Sequence, residues 1–269
     1  MEPYLNQGWR PLLEQNGLRS FDDFWAMEKT WVEKPNKRRG GSSGVARLEL
    51  SGPGGCVVPV FLKCQENQYF RSVENGFRAR LTYEREIENL LKLATLGVPV
   101  VEPLYFEEKC QFGKSRAVLL TPELSGYRSL QDWLILWDRE GWPGKSCRQK
   151  IAERLGAELG RFHRLGWCYR ALYPKHVFLR ISEGELSVRF IDLENARTSW
   201  WRRRDRIKDL GPFFRRTRAA SPRDRLCFLR AYTTGPGERR EFMKAVAGEE
   251  LQQVRRSFES SGKVSPLPG

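Results

Sequence analysis

The sequence is poor in the residues that build metal centres and disulfide frameworks. Its 269 residues contain two histidines and six cysteines, and no two cysteines form a Cys-x-x-Cys pair. Structural zinc sites and disulfide-stabilised folds both depend on regular spacings of these residues. We therefore exclude both as the basis of the fold, and the scattered cysteines favour a reducing, cytoplasmic environment.

Long apolar runs are also missing. No stretch approaches the roughly 18 apolar residues that a membrane-spanning helix needs. The first residues, Met1-Glu2-Pro3-Tyr4, lack the basic and apolar regions of a signal peptide. We expect a soluble protein without a transmembrane segment, which can still contact a membrane surface.

Acidic residues are fewer than basic residues. Lysine and arginine total 47 against 33 aspartate and glutamate residues, which gives a net charge of +14 and a pI near 9.8. This balance favours an anionic partner, such as a nucleic acid, a nucleotide, a phosphorylated glycolipid or an acidic membrane surface. A hydrophobic content of 40% is enough for the core of one two-lobed domain or of two smaller ones.

The first half of the chain predicts an antiparallel sheet with one long helix. A short helix begins after Ser20, and a longer one covers residues 80–95, with apolar residues at helical spacing and a stop at Gly97. Apolar runs bounded by turn residues predict a five-stranded sheet, with strands at residues 30–33, 45–50, 57–64, 100–106 and 116–120.

A glycine-rich, basic loop joins the first two predicted strands. Residues 34–44 read Lys-Pro-Asn-Lys-Arg-Arg-Gly-Gly-Ser-Ser-Gly. Such a loop can bring backbone amides beside Gly40, Gly41 and Gly44, together with cationic side chains, close to phosphate oxygens. A flexible, solvated hairpin explains the same composition, and the sequence leaves both interpretations open.

Lys63 lies near the end of an apolar predicted strand. A lysine among β-branched and aromatic neighbours is costly unless its ammonium meets an anion. The long helix that follows offers Glu86 on the inward side of its apolar stripe, with Glu84 as a reserve and Glu88 facing solvent. We predict an ion pair between Lys63 and Glu86; an edge-strand lysine that points to water is the alternative.

The second half of the chain predicts helices around one hairpin. Helical patterns begin at Ser129 and cover residues 147–165, 222–232 and about 238–258. Between them, a strand at residues 177–181, a turn at Glu183-Gly184 and a returning strand lead to Asp192, which we expect to face a polar loop containing His176. A carboxylate just past a buried strand is the magnesium-holding arrangement of kinase-type enzymes, although strand-end aspartates commonly cap turns.

A basic segment follows Asp192. Trp200 and Trp201 precede a run of arginines that extends to Arg218. Arginine runs are commonly solvated surface, but tryptophans among them, next to a candidate site, also suit a platform for an anionic substrate. Both interpretations stay open at the level of sequence.

Taken in this order, the segments resemble the lipopolysaccharide-core kinase family (the Kdo/WaaP group), most closely its InaA-like branch. The resemblance extends from about residue 31 to about residue 232. Each segment alone is weak evidence for this family, but the order in which the segments follow one another is specific to it. The segments are residues 38–44 (Arg-Arg-Gly-Gly-Ser-Ser-Gly), 61–63 (Phe-Leu-Lys), 84–90 (Glu-Arg-Glu-Ile-Glu-Asn-Leu), 96–99 (Leu-Gly-Val-Pro), 162–167 (Phe-His-Arg-Leu-Gly-Trp), 169–176 (Tyr-Arg-Ala-Leu-Tyr-Pro-Lys-His) and 191–197 (Ile-Asp-Leu-Glu-Asn-Ala-Arg).

The resemblance implies an α+β fold of the two-lobed protein-kinase type. A single domain over residues 1–260 would consist of an antiparallel-sheet N-lobe at about 20–122 and a mainly helical C-lobe at about 126–260, followed by a flexible tail at 261–269. The implied activity is transfer of phosphate from ATP, with magnesium, to a sugar hydroxyl of the lipopolysaccharide inner core at the cytoplasmic face of the inner membrane. The implied partner is the lipopolysaccharide core or another anionic glycolipid, and nucleic acid is disfavoured.

Residue by residue, the resemblance also implies roles in a site. Lys63 would hold the nucleotide phosphates, Glu86 would orient Lys63, and Asp192 would bind magnesium. His176 would take the second metal-facing position, and Asp209 would brace the catalytic loop. Gly40, Gly41, Gly44 and Glu123 would complete the nucleotide site, the last in a crossover at residues 121–125 whose backbone could meet an adenine edge.

The catalytic loop departs from the family pattern. Kinases of this type read His-Arg-Asp, and the aspartate accepts the proton of the attacking hydroxyl, but this chain reads Tyr169-Arg170-Ala171. The arginine of the motif is present as Arg170. The methyl group of Ala171 cannot accept a proton, and the loss of a general base lowers the rate about 10²- to 10⁴-fold. A slow kinase and a nucleotide-binding pseudokinase with a regulatory role both fit; a basic nucleic-acid or lipid binder fits less well.

Overall fold

The computed structural model describes residues 1–38, 40–72, 76–182, 185–199 and 202–244, and these fall into two units. The first unit comprises Met1–Gly126 and Phe190–Asn195, and the second comprises Tyr127–Arg189 and the chain from Ala196 onward. Several predicted features lie outside the described residues. They are the Glu183-Gly184 turn, Trp200, Trp201, the helix beyond residue 244 and the tail at 261–269.

Most of the first unit is one antiparallel sheet. The elements of this unit are β1 (Tyr4–Leu5), α1 (Arg10–Gln15), α2 (Phe21–Ala26), β2 (Thr30–Arg38), β3 (Gly41–Ser51), β4 (Val57–Glu66), β5 (Tyr69–Phe70), β6 (Arg80–Leu81), α3 (Thr82–Thr95), β7 (Tyr105–Gln111) and β8 (Lys114–Pro122). The sheet has six strands in the order β1-β7-β8-β4-β3-β2, one more than predicted, because the two-residue β1 pairs with β7.

The predicted glycine-rich loop is largely strand. β2 and β3 stay paired as far as Arg38 opposite Gly41, and β3 pairs with β4 as far as Ser42 opposite Glu66. Gly40 has a φ of 79°, in the left-handed region that glycine adopts without strain. A loop over residues 34–44 was therefore a wrong prediction, because backbone pairing in the sheet overrides a composition that is typical of loops.

The strand predicted at residues 100–106 is also wrong in its bounds. β7 begins at Tyr105, and Val100 makes only an isolated parallel bridge to Phe190. Pro103 lies within the predicted strand and has no N–H to donate to a ladder. Regular pairing therefore starts after this proline.

Apolar side chains on one face of the sheet pack against α1 and α2. Leu13 of α1 and Phe24 of α2 belong to the same buried cluster as Val60, Leu62 and Cys64 of β4. Side chains alternate between the two faces of a strand, so Lys63 points to the opposite face. The core residues of β4 therefore lie on one face of the sheet, and Lys63 lies on the other.

The second unit is mainly helical, as predicted. Its elements are β9 (Arg128–Ser129), α4 (Leu130–Glu140), α5 (Lys145–Arg164), β10 (Trp167–Cys168), β11 (Val177–Ser182), β12 (Glu185–Phe190), β13 (Arg197–Thr198), α6 (Arg202–Arg216) and α7 (Pro222–Tyr232). Residues 236–244 are helical as well. Ser129 caps α4, with Asp132 N donating to its hydroxyl, and Gly156 and Gly160 of α5 lie against the backbone of α7.

Helix α6 contains most of the basic run that follows Asp192. It buries Asp209, Leu210 and Phe213, whereas Arg204 and Lys208 are exposed. The run is therefore one face of an amphipathic helix. Within the described ranges, none of the helices combines the length and the apolar character required to cross a membrane.

Candidate active site

Lys63 reaches a buried glutamate from an interior strand of the sheet. Its Nζ donates a hydrogen bond to Glu86 Oε1 at 2.6 Å, and Glu86 of α3 is 1% exposed. β4 lies between β3 and β8, so the interpretation of Lys63 as an edge-strand lysine is wrong. The ion pair predicted between Lys63 and Glu86 is present.

The surroundings of this pair carry an excess of negative charge. Burial lowers the pKa of the Lys63 ammonium, but attraction from Glu86 and then from Asp192 outweighs burial and holds that pKa above its ordinary value. Burial raises the pKa of Glu86 to about 7, and the charge of Asp192 adds to the rise while Lys63 opposes it. Both shifts favour the bound proton, as expected where anions outnumber cations.

Asp192 and Glu194 belong to a turn that is fixed to the first unit. Asn89 Nδ2 donates to Leu193 O at 2.8 Å, and Val101 N donates to Phe190 O at 3.0 Å. Asp192 itself has a φ of 59°, a left-handed conformation that residues other than glycine rarely adopt. Strained backbone of this kind concentrates at functional sites, where the surrounding structure holds it in place.

Three carboxylates of the first unit converge. One oxygen each from Glu86, Asp192 and Glu194 lies within 4.8 Å of the other two. Burial raises the pKa of Glu194, and the charge of Asp192 raises it further. Glu86 Oε2 is buried and has no hydrogen-bond partner among the described residues. Oxygen ligands of this kind fit magnesium or another hard divalent cation.

A buried aspartate fixes the segment that resembles a catalytic loop. In the second unit, Asp209 Oδ2 accepts a hydrogen bond from Tyr169 N at 2.6 Å, and Oδ1 accepts one from Arg170 N at 2.7 Å. The carboxylate also lies 3.2 Å from His163 Nε2, and His163 Nδ1 lies 2.6 Å from the Tyr232 hydroxyl. Arg170 has a φ of 62°. One carboxylate thus holds two consecutive amides of the loop.

The loop closes on itself through His176. His176 Nδ1 lies 2.9 Å from the carbonyl oxygen of Ala171. Because a carbonyl oxygen only accepts, Nδ1 carries a proton in this hydrogen bond. Ala171 is 9% exposed, and its side chain offers no acceptor to a substrate hydroxyl.

The predicted nucleotide-binding glycines and Glu123 have structural contacts of their own. A Cβ at Gly41 would lie 2.5 Å from Asn67 O, and one at Gly44 would lie 2.7 Å from the Trp31 ring. Glu123 Oε2 accepts a hydrogen bond from Arg47 Nε at 2.5 Å. Close packing therefore explains Gly41 and Gly44, and a role of these residues toward a nucleotide stays a prediction.

Comparison with known proteins places the chain in a family. The profile of the lipopolysaccharide kinase (Kdo/WaaP) family matches residues 22–232. The chain belongs to this family. Among curated relatives, Protein InaA of Escherichia coli (strain K12) is 30% identical over 177 residues, which cover 66% of this chain and 78% of InaA.

A solved structure of a Kdo/WaaP protein has a similar fold. It is described as WaaP in complex with acyl carrier protein, and it superposes with a TM-score of 0.68 at 22% identity over 96% of this chain and 99% of that chain. At this identity the likeness establishes the fold. The predicted family, its InaA-like branch and the α+β kinase-like fold are thereby confirmed.

Sequence reasoning missed one member of the site in this Kdo/WaaP protein. Glu194 lies two residues after Asp192 and contributes a carboxylate to the cluster with Glu86, but it was treated only as part of a motif. The signal that could have found it is the Asp-x-Glu spacing after a strand. The reserve candidate Glu84 instead forms an ion pair with Arg80 at 2.5 Å, and Arg80 also lies 2.6 Å from Glu88.

Proposed function

We propose that this Kdo/WaaP protein binds ATP with magnesium and slowly transfers phosphate to a sugar hydroxyl of the lipopolysaccharide inner core. The observation that supports the proposal is the Lys63–Glu86 ion pair beside the carboxylates of Asp192 and Glu194. A lysine held by a helical glutamate next to a metal-binding aspartate is the phosphate-positioning arrangement of kinase-like enzymes.

Each residue of the first unit has a definite task in this proposal. Lys63 contacts nucleotide phosphate oxygens, and Glu86 keeps the ammonium in position and charged. Asp192 holds magnesium, and the residues present fit this ion because their oxygen atoms already converge. Magnesium, when bound, neutralises negative charge on the transferred phosphoryl group. Gly40, Gly41, Gly44 and the backbone around Glu123 are proposed to border the nucleotide.

The second unit supplies the loop residues of the proposal. Arg170 and His176 belong to the loop that Asp209 holds, and the hydrogen bond from His176 Nδ1 to the Ala171 carbonyl orients the His176 ring. His176 is accordingly proposed as the second metal-facing residue.

An anionic acceptor suits the charge of the chain. The net charge is +14, and the Arg216 guanidinium lies 4.3 Å from the centre of the Tyr173 ring in the same loop segment as Ala171. A guanidinium on an aromatic ring keeps N–H groups that can bind phosphate or carboxylate. We propose a phosphorylated core glycolipid as acceptor, reached from the cytoplasm with peripheral contact to the inner membrane.

Ala171 favours a second candidate function, that of a nucleotide-binding pseudokinase. The missing base costs roughly 3 to 5 kcal/mol of barrier. Phosphoryl transfer depends mainly on positioning and charge neutralisation, so slow turnover remains compatible with this loss. The two candidates share the nucleotide site and differ only in whether ATP is consumed.

The test is calorimetric titration of ATP into the purified protein with and without magnesium, while ATP consumption is followed with lipopolysaccharide core. Lys63→Ala should weaken ATP binding about tenfold or more, because a charge-assisted contact is lost. Glu86 then takes up a proton, so we expect the variant to fold, which circular dichroism checks. Lys114→Ala, at an exposed lysine of β8, is the matched control.

The outcomes separate the candidates. Unchanged ATP affinity in folded Lys63→Ala contradicts the nucleotide site. Magnesium-dependent binding with acceptor-dependent turnover supports the kinase, and binding without turnover supports the pseudokinase. Absence of ATP binding in the unmodified protein would leave the family resemblance as one of fold alone.

A further inference from the structure

The geometry points to a divalent-cation site that Glu86, Asp192 and Glu194 form without any nucleotide. This inference extends the metal role proposed for Asp192 and rests on the proposed function in that one respect. It adds Glu194 and Glu86 as ligands, and it states that the ion binds before ATP. Kinase-like sites commonly receive much of their metal coordination from the nucleotide phosphates, so binding without nucleotide is a separate claim.

The spacing of the oxygen atoms matches a single ion. Hard divalent cations hold their oxygen ligands at about 2.0 to 2.6 Å, so ligands on opposite sides of an ion stand about 4.0 to 5.2 Å apart. The three carboxylate oxygens lie within 4.8 Å of one another, so no two of them are farther apart than ligands on opposite sides of one ion can be. The separations are therefore compatible with one shared ion.

An unpaired buried oxygen shows that the cluster is more than a group of neighbouring acids. Glu86 is 1% exposed, and Lys63 occupies only its Oε1. Its Oε2 is shielded from solvent and has no hydrogen-bond partner among the described residues. Burying a carboxylate oxygen without a partner is costly, and a cation shared with Asp192 and Glu194 removes that cost.

Two cations lie near the cluster. The Lys63 ammonium pairs with Glu86. The Arg85 guanidinium lies over the Phe70 ring at 4.2 Å and 3.5 Å from Asn195 Oδ1. Asn195 Nδ2 in turn donates to Glu194 Oε1 at 3.1 Å, which orients that carboxylate.

All three ligands belong to one unit. Glu86 lies on α3, and Asp192 and Glu194 lie in the segment Phe190–Asn195, which is part of the first unit. The turn that carries them is fixed by hydrogen bonds to Asn89 and Val101. The three carboxylates therefore converge without any residue of the second unit, and the inferred ion requires no nucleotide oxygen to bring them together.

The experiment is titration of Mn²⁺ into the full-length protein without ATP, followed by calorimetry and by the loss of the free Mn²⁺ signal in electron paramagnetic resonance. We expect one site in the unmodified protein. Glu194→Gln should weaken Mn²⁺ binding about tenfold or more, because a direct ligand becomes a neutral amide. Glu33→Gln removes an exposed carboxylate of the same unit and should leave binding unchanged.

Melting temperatures measured with and without metal distinguish the loss of a metal ligand from misfolding of the variant. Without metal, Glu194→Gln should melt at or above the temperature of the unmodified protein, because one of three repelling carboxylates is gone. Mn²⁺ should raise the melting temperature of the unmodified protein and of Glu33→Gln by equal amounts, and that of Glu194→Gln by clearly less. Equal Mn²⁺ stabilisation of all three proteins would overturn the inference.

Lys63→Ala separates this inference from the proposed function. Removal of the ammonium should weaken ATP binding, whereas Mn²⁺ binding without nucleotide should persist, because Asp192 and Glu194 keep their carboxylates in this variant. Mg-ATP binding together with no Mn²⁺ binding in the absence of ATP would refute the inference and leave the proposed function intact. Mn²⁺ binding lost in Glu194→Gln, with no ATP binding in any variant, would support the inference and contradict the nucleotide site.

Discussion

Ala171 is the residue that most limits turnover in the proposed reaction. The backbone around it is held in place, since Asp209 accepts hydrogen bonds from the amides of Tyr169 and Arg170 and His176 bonds to the Ala171 carbonyl. What the loop lacks is an acceptor for the proton of the attacking hydroxyl. The defect is therefore chemical and confined to one side chain, and one substitution can test it.

Ala171→Asp should raise the rate of phosphate transfer to lipopolysaccharide core by about 10²-fold or more, because it restores a general base. The measurement is ATP consumption with acceptor, at equal protein concentration and saturating magnesium. Ala171→Asn is the matched control, since it has nearly the same shape and accepts no proton at neutral pH. A folded Ala171→Asp variant that is no faster than Ala171→Asn would show that the loop is not arranged for catalysis.

Helices α5 and α7 meet through two glycines. A Cβ at Gly156 would lie 2.2 Å from the carbonyl oxygen of Phe228, and one at Gly160 would lie 2.6 Å from that of Tyr232. Both obstacles are backbone atoms, which cannot rotate away as a side chain can. The close approach also positions His163 of α5 next to Tyr232 of α7, at 2.6 Å between Nδ1 and the hydroxyl oxygen.

Gly156→Ala should lower the free energy of unfolding by about 2 to 3 kcal/mol, because the helices must separate to admit a methyl group. Chemical denaturation followed by circular dichroism measures this change. Gly237→Ala is the control: a Cβ there meets nothing within 4 Å, and alanine at this helical position should be neutral or stabilise by up to about 1 kcal/mol. Equal stability of the two variants would contradict the close contact between α5 and α7.

The positive charge of the molecule is concentrated in part on α6. Arg204, Lys208 and Arg215 are spaced by four and seven residues, so they share one face of the helix. None of these three has an ion-pair partner in the part of the chain that the structure describes, whereas Arg203 and Arg206 pair with Glu241 and Glu238. A row of unpaired cations attracts anionic surfaces over roughly a Debye length, about 8 Å at physiological salt.

Replacing Arg204, Lys208 and Arg215 together by alanine should weaken binding of lipopolysaccharide core oligosaccharide and make that binding less sensitive to salt. Fewer charged contacts leave less electrostatic attraction for salt to screen. Calorimetric titrations at two or more ionic strengths measure both effects.

The control replaces three exposed cations of the first unit, Lys34, Arg78 and Lys92, by alanine, so that net charge falls equally. If this variant loses as much affinity as the α6 variant, the attraction depends on net charge alone. A preserved affinity would locate the contact on α6.

The resemblance of the ordered motifs to the Kdo/WaaP family predicted the family and the α+β kinase-like fold, and local signals predicted individual helices. Ser20 and Ser129 cap helices where the spacing of their acidic partners indicated, and the apolar stripe of α3 directed attention to Glu86. Prediction failed at residues 34–44 and 100–106, where sheet pairing and Pro103 determine the bounds. The first error arose because pairing partners distant in sequence leave no local signal, whereas Pro103 was a local signal that the second prediction overlooked.

The sequence by itself determined which chemical groups are available. They are a lysine in an apolar strand (Lys63), a glutamate in the helix that follows (Glu86), an aspartate after a hairpin (Asp192) and an alanine where a base is expected (Ala171). Tertiary structure alone decided which of them meet. Glu86 and Glu194 are separated by more than 100 residues, and the turn anchored by Asn89 brings their carboxylates within 4.8 Å. Composition and local periodicity fix helices and strands, but distances between remote side chains depend on how the whole chain packs.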